Sequence, residues 1–314
     1  MVEYITRRLG LMVPTAFLVT VAVFLLIHLT PGDPATIILA ESYTPEAGAK
    51  IDKDLGLDKP LPQQYLLYVG RLFHGDLGRS VRNKLPVTQA IGERLSATLE
   101  LGFAALIWSL LIAIPLGTIA ALRRGRALDV VASGLTVAGI SVPNFVLGIL
   151  LILFFGLLLR VLPVGGFVAL GESVPDNLSR LIMPAIALGT FGTASNMRFT
   201  RSSMIEVLNQ DYIRTARAKG AGWWQVVNRH ALKNALIPVV TIVGLQVGAI
   251  LEGALVTETV FGWPGVGKLA VESIFSKDFP VVQGIVLLSA LSFMFANLLV
   301  DLVYAWLDPR ISYS

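Results

Sequence analysis

Long apolar runs alternate with short polar segments along most of this 314-residue chain. A helix crosses a hydrocarbon core of about 30 Å with roughly 20 residues, so runs of this length are candidate membrane spans. There are six such runs, at residues 9–30, 97–122, 130–159, 181–197, 237–257 and 281–306. The alternation typical of membrane strands is missing, and we therefore predict an all-α membrane protein with six transmembrane helices.

Composition agrees with this class, because 54% of the residues are apolar and only 15% are charged. Arg7 and Arg8 precede the first run as in a signal peptide, but the run is too long and lacks a small-residue cleavage site. We interpret it as a retained helix. The chain has no cysteine, and its histidines show no metal-ligand spacing, so we expect no metal and no cofactor in this chain.

The distribution of basic residues predicts the topology. Lys and Arg exceed Asp and Glu in the opening segment, in the short segment 123–129 and in segment 198–236. These segments are predicted to be cytoplasmic, together with both termini. Acidic residues equal or exceed basic ones in the loops 160–180 and 258–280, which are predicted to lie outside.

The predicted spans divide the chain into regions. The N-terminal tail and the first helix are residues 1–30, and an extracytoplasmic loop domain follows at 31–93. The membrane core is 94–306 and contains the cytoplasmic loop 198–236, and a tail follows at 307–314. Thr44 and Pro45 begin a predicted helix in the loop domain. A second predicted helix follows, whose apolar face contains Tyr65, Leu66, Val69, Leu72 and Phe73. We interpret this second helix as a packed lid, with direct ligand contact as the alternative.

The segment DYIRTARAKGAGWWQVVNRHALKNALIP, residues 211–238, is polar and amphipathic between two apolar runs. At about 2.5–3.5 kcal/mol for each charge at the bilayer centre, burying residues 198–236 would cost roughly 20 kcal/mol or more. The pattern predicts one helix up to Gly220 and a second from Trp223, before Pro238 opens the next span. The apolar stripe of the second helix contains Trp223, Val226, Val227, Ala231, Leu232 and Ala235. A membrane-surface helix, an internal packing element and a docking surface for another protein all fit; the small residues Ala216, Ala218 and Gly220 favour docking.

The order Arg214, Thr215, Ala216, then Gly220 and a second amphipathic helix resembles the "EAA" loop of ABC importer permeases. Arg214 and Thr215 occupy the Glu and first Ala positions of that motif, and His230 to Lys233 occupy its later I-x-L-P. With these departures, the segment resembles the permeases of the dipeptide, oligopeptide and nickel branch. The same branch is indicated by YITRRL, LTPGDPA, LGLDKPLPQQY, GDLGRS, TETVFGWPGVG and DLVYAWLDPRISY, and the long loop after the first span resembles the B-type subunit.

The resemblance implies a type I importer permease in a prokaryotic cell (inner) membrane. Its implied partners are a second, paralogous permease, two cytoplasmic ATPase subunits and an extracytoplasmic solute-binding protein, with no nucleic acid. The implied ATPase-docking residues are Tyr212, Arg214, Thr215, Ala216, Arg217, Ala218, Lys219, Gly220 and Gly222. An outer gate loop is implied at Trp263, Pro264, Gly265 and Gly267.

Polar groups inside apolar runs are candidates for the translocation path, because they are costly in hydrocarbon. We single out Asn144, Glu252 and Glu258. The stretch GWPGVGKL has the spacing of a phosphate loop, but Leu269 replaces the Ser or Thr that would bind Mg²⁺, and the loop is predicted to lie outside. We therefore expect no enzymatic activity in this chain, with ATP hydrolysis in separate subunits.

The function expected from the sequence is a permease subunit that forms half of a transmembrane pathway for peptides. Nickel, glutathione and oligosaccharide are alternative substrates within the same transporter class. A secondary transporter driven by an ion gradient is a rival from another class, but it predicts inverted repeats and buried ion-coordinating clusters, which the sequence does not show.

Overall fold

The structure is a computed structural model that describes residues 2–29, 36, 44–46, 48–49, 53 and 58–307. Side chains are described for these residues except 2–7, 9, 27, 29, 251–253, 301 and 303–307. The described part is helical and has no strand, only an isolated bridge between Arg79 and Pro86. Most of the helix predicted from Thr44 lies outside the described residues.

The chain forms two compact units, one of residues up to Thr98 with Pro264–Phe295, the other of Leu99–Trp263 with residues from Ala296 onward. Each unit contains part of the long helix Val87–Leu122 and part of the long helix Phe279–Leu307. In chain order the helices are α1 Val2–Leu29, α2 Leu61–Phe73, α3 Val87–Leu122, α4 Ala127–Ser141, α5 Asn144–Leu151, α6 Val174–Leu208, α7 Asp211–Ala218, α8 Trp223–Gln225, α9 Lys233–Gly248, α10 Ile250–Phe261, α11 Val266–Phe275 and α12 Phe279–Leu307. Two π-helical segments, Ile152–Leu158 and Val226–Leu232, continue α5 and join α8 to α9.

Among the described residues, three helical stretches are long and apolar enough to cross a membrane: Val87–Leu122, Trp223–Gly248 and Phe279–Val300. The pair Ala127–Ser141 and Asn144–Leu158 would make a fourth if its two parts form one span. The predicted runs 9–30 and 181–197 fall on the helices α1 and α6. The prediction of an all-helical membrane protein is thus confirmed, whereas the number of six transmembrane helices stays a prediction.

The predicted run 130–159 is not a straight helix, because it bends by 101° between α4 and α5. Pro143 has no N–H to continue the helix, and it forces the preceding residue toward extended backbone. Val142 accordingly has φ −87° and ψ 120°, and α5 begins immediately after Pro143. The predicted run 237–257 is also interrupted, at Ala249 between α9 and α10.

In the first unit, α2 packs along α1 through a mixed polar and aromatic face. Gln64 Oε1 lies 2.8 Å from His28 Nε2, and the Tyr65 hydroxyl lies 2.8 Å from Thr20 Oγ1. Gln64 is buried, whereas Leu66 and Phe73 are 68% and 87% exposed. The predicted apolar face is therefore wrong at Leu66 and Phe73, because Gln64 takes the inner position instead. The Gln64 amide is hydrogen-bonded to His28 and to Lys59 O, so its burial leaves no polar group of the amide without a partner.

In the second unit, α6 is the central helix and packs against α4, α5 and α9. A paired ionic contact fixes the start of α4: Arg201 Nε and Nη2 donate to the Asp129 carboxylate at 2.5 and 2.9 Å, and Gly125 N donates to it at 2.9 Å. Asp129 is buried. Arg201 lies on α6, which extends to Leu208. The first residues of the predicted cytoplasmic loop 198–236 are therefore a continuation of this helix.

Asp129→Asn is expected to destabilise the second unit by about 1–3 kcal/mol, because Arg201 would lose its charged partner in a partly solvated site. The thermal midpoint of the purified complex in detergent measures the effect. Glu206→Gln is the matched control, since Glu206 is exposed on α6, the helix of Arg201, and makes no ion pair with a described residue. Equal thermal midpoints for the two variants would show that the Asp129 contact is not stabilising.

Candidate functional site

The candidate docking helix, α7, is a helix of eight residues that follows directly on α6. Gln210 is its N-cap, and Asp211 lies in its first turn, where a negative charge is favourable. The helix ends at Ala218, and Gly220 then takes a left-handed conformation with φ +81°. A Cβ atom at Gly220 would meet no atom within 4 Å, so the glycine is required by the backbone conformation rather than by space.

A buried side chain of the candidate docking helix packs it against the rest of the unit. Ile213 is fully buried in a cluster with Met204 of α6 and with Val226, Val227 and Ala231 of the second amphipathic segment. This cluster confirms the predicted apolar stripe from Val226 to Ala235. Trp223, placed at the start of that stripe by the sequence, is instead 55% exposed.

The three departures from the family motif have local partners in the structure. The Tyr212 hydroxyl donates to the carbonyl of His230 at 3.4 Å and accepts from Asn234 Nδ2 at 2.7 Å. Thr215 Oγ1 donates to Asp211 O at 3.0 Å, and Arg214 lies 3.4 Å from the Asp211 carboxylate. The backbone carbonyl of His230 thus accepts the hydrogen bond, while Thr215 and Arg214 contact Asp211 in the first turn of α7.

The predicted docking residues together form an outward surface. Tyr212 is 42% exposed, and Ala216 is half-buried. The exposed remainder is Arg214, Thr215, Arg217, Ala218, Lys219, Gly220 and Gly222. The surface combines small side chains with three cationic side chains, Arg214, Arg217 and Lys219, which are all exposed. It is suited to contact with another protein rather than to chemistry.

Two tryptophans beside this surface were not among the predicted docking residues. Trp223 lies under the Arg217 guanidinium at 5.4 Å from its ring centroid, and Trp224 is 76% exposed. Aromatic side chains and arginine are the residue types that dominate binding energy at protein interfaces. The signal in the sequence was the WW pair directly after the Gly-Ala-Gly turn, in an otherwise polar segment.

The predicted pathway residues lie on the helices α5 and α10 of the second unit. Asn144 is half-buried at the first position of α5 and lines a cavity described below. Glu258 on α10 is fully buried. Glu252 is also on α10, but its side chain lies outside the described part of the chain. The helices α5 and α10 contact each other, and the role of the three residues in the path stays a prediction.

The predicted gate loop belongs in part to each unit. In the second unit, Trp263 is fully buried, and its ring lies edge-on to Phe167 at 4.8 Å between centroids. In the first unit, Gly265 is the N-cap of α11, and Val266 N donates to Thr98 Oγ1 at 2.8 Å. Asp278 further accepts from Ser80 Oγ and from Val81 N in this unit.

Comparison with known families identifies the kind of protein. The family described as "Binding-protein-dependent transport system inner membrane component" matches residues 113–313. The chain belongs to this family. The N-terminal membrane component of the same transport systems matches residues 1–102 of this permease.

The permease has relatives along its entire length. It is 44% identical over 338 aligned residues to the dipeptide transport system permease protein DppB of Escherichia coli K12, with all of both chains covered. It is 43% identical to the di/tripeptide transport system permease protein DppB of Pseudomonas aeruginosa and 42% identical to the glutathione transport system permease protein GsiC of Salmonella typhi, again with full coverage. The predicted branch of ABC importer permeases is confirmed.

A solved structure shows the fold. The crystal structure of an amino acid ABC transporter with histidines matches at a TM-score of 0.50 and 18% identity, covering 70% of this permease and 94% of the other chain. The prediction of an ABC importer permease fold is confirmed.

Proposed function

We propose that this chain is the permease subunit that forms half of the transmembrane pathway of an ABC importer for dipeptides and short oligopeptides. The observation that supports it best is the full-length similarity to permeases named for dipeptide and di/tripeptide transport. Glutathione is the second candidate substrate, since the glutathione permease is nearly as similar.

The proposed assembly contains a second permease, two ATPase subunits at the cytoplasmic face and an extracytoplasmic solute-binding protein. The chain itself would span a prokaryotic inner membrane six times, with both termini in the cytoplasm. The candidate docking helix and the residues after it would meet one ATPase, so that ATP binding there moves α6 and α9, which flank this segment in the chain.

The ATPase contact is tested by Ala218→Arg. Ala218 is exposed, so a larger charged side chain would leave the fold intact and obstruct close approach by a partner. We expect loss of co-purification of the ATPase subunits and loss of peptide-stimulated ATP hydrolysis. Ala127→Arg is the control, because Ala127 is exposed at the start of α4 in another predicted cytoplasmic segment. Normal stimulation of ATP hydrolysis in Ala218→Arg would refute the docking role.

Substrate is tested by uptake into cells that lack other peptide importers and express the complete system. Labelled dialanine should accumulate, and unlabelled di- and tripeptides should compete with it. Competition by glutathione alone, with no uptake of dialanine, would replace the peptide assignment by the glutathione one.

A further inference from the structure

A cavity of about 200 Å³ lies within the second unit, among α3, α5, α6 and the junction of α9 with α10. Both interrupted helices of this unit reach it. Asn144, the first residue of α5 after the bend, lines the cavity, and so does Ala249 at the break before α10. In membrane proteins, interrupted helices are tolerated where they line a cavity, and they often mark a binding site.

The cavity is not a product of loose packing around it. A Cβ atom at Gly189 would lie 2.6 Å from the backbone oxygen of Ala105, and one at Gly102 would lie 2.1 Å from Ile250 Cγ2. All four residues line the cavity. The helices at its edge are therefore as close as their backbones and side chains permit, and the space between them is a defined feature of the fold.

A buried polar network forms one side of this cavity. Asn196 is fully buried; its Nδ2 donates to Ser109 Oγ at 2.9 Å and to Gln246 Oε1 at 3.0 Å. Gln246 Nε2 donates back to Asn196 Oδ1 at 3.2 Å. Asn196 is not at the cavity surface, whereas Ser109 and Gln246 are. Asn196 thus fixes the orientation of two polar side chains that line the cavity.

The lining side chains retain hydrogen-bonding capacity. Within the part of the chain that the structure describes, no group accepts the Ser109 hydroxyl hydrogen, although Ser109 is only 1% exposed. Among the described residues, Gln246 Nε2 makes one hydrogen bond and the Asn144 amide makes none. A buried donor without an acceptor is costly, so a ligand that supplies the acceptor would be favoured.

The chemistry of the lining selects the class of ligand. No residue that lines the cavity carries a charge, and the free groups are a hydroxyl and two amides. Such groups suit a neutral partner that both accepts and donates hydrogen bonds, and they do not compensate an ammonium, a carboxylate or a metal ion. Pockets for whole drug-sized ligands begin at about 300 Å³, so this cavity would take only part of a longer molecule.

We propose that Ser109, Asn144 and Gln246 bind one backbone peptide unit of the transported peptide, with Asn196 as a positioning residue. The proposal rests on the proposed function. The Ser109 hydroxyl donates to the peptide carbonyl, and the Asn144 amide oxygen accepts from the peptide N–H, because Gln246 Oε1 already accepts from Asn196 Nδ2. The remaining walls are apolar and contact the flanking side chain.

The first experiment uses the absence of cysteine from this chain. Ser109→Cys introduces a thiol of similar size, and the complete importer is reconstituted in liposomes with its binding protein and ATP. We expect the thiol of this subunit to react with a water-soluble methanethiosulfonate, and dialanine to slow the reaction severalfold. Ala127→Cys, exposed and outside the lining of the cavity, should react at a rate that dialanine does not change.

The second experiment compares uptake of dialanine with that of alanyl-lactate, in which an ester oxygen replaces the peptide N–H. Asn144→Leu should reduce the preference for dialanine by about two- to tenfold, the effect of one lost neutral hydrogen bond. The same binding protein loads both variants, so its own preference cancels. Gln89→Leu, which replaces an exposed amide of α3, should leave the preference unchanged.

The outcomes separate the two proposals. If the unaltered importer does not take up dialanine, the proposed function and the peptide assignment of the cavity both fail. If dialanine is taken up, but the Ser109→Cys thiol is unreactive or unprotected, or the preference is unchanged in Asn144→Leu, the cavity is not a peptide site while the proposed function stands.

Discussion

Replacing Ile213 by aspartate is expected to abolish peptide uptake while the subunit remains in the membrane. An isolated helix of fewer than about 12 residues is marginal in water, so α7, with eight residues, depends on its tertiary contacts. Ile213 is its only buried side chain and contacts the Val226 and Val227 cluster. Truncation of a buried isoleucine costs about 2–5 kcal/mol, and a carboxylate in the same apolar site costs more.

Uptake of labelled dialanine and limited proteolysis of the membranes measure the two consequences. We expect uptake to be lost and the chain to become sensitive to cleavage between α6 and α8. Ile213→Val should retain most uptake, since this change costs only about 0.5–1.5 kcal/mol. Full uptake in Ile213→Asp would mean that α7 does not carry motion from the ATPase.

The apolar pattern predicted helices well where nothing interrupts them. The run 97–122 lies within α3 and the run 281–306 within α12. The amphipathic stripe of the second polar helix was also predicted correctly from Val226 to Ala235, although Val226–Leu232 is π-helical. Local periodicity is sufficient for such elements, since each residue's environment repeats along one face.

Helix interruptions were harder to predict, because they depend on tertiary contacts. Pro143 disfavours a continuous helix in the predicted run 130–159, but the 101° bend depends on how α4 and α5 each pack on α6. Pro238 was expected to open a span and instead lies inside α9, as the sixth residue of that helix. Ala249 gives no sequence signal for a break at all.

The polar network at the cavity was missed for a related reason. Gln246 and Asn196 stand in or beside apolar runs, and a buried amide there indicates a hydrogen-bonded partner. The sequence cannot show that Asn196, Ser109 and Gln246, which are far apart along the chain, belong to one network. Their polarity was the available signal, whereas their contact required the fold.

Gly189→Ala is expected to destabilise the second unit and to reduce uptake, although alanine is the better helix former by about 0.5–1 kcal/mol. The new methyl group would lie 2.6 Å from the backbone oxygen of Ala105 and 3.2 Å from Trp108 Cδ1. A backbone oxygen cannot rotate away as a side chain can, so α6 would have to move away from α3. Overpacking of this kind costs about 1–3 kcal/mol.

Gly134→Ala is the matched control, because it is the same substitution in the helix α4 at a position where a Cβ atom meets nothing within 4 Å. We expect a thermal midpoint equal to or above that of the unaltered complex for Gly134→Ala, and a lower midpoint for Gly189→Ala. Because α6 lines the cavity and leads into α7, displacement of this helix should also slow uptake. Equal midpoints and equal uptake in both variants would show that the contact between α3 and α6 at Gly189 is looser than the structure indicates.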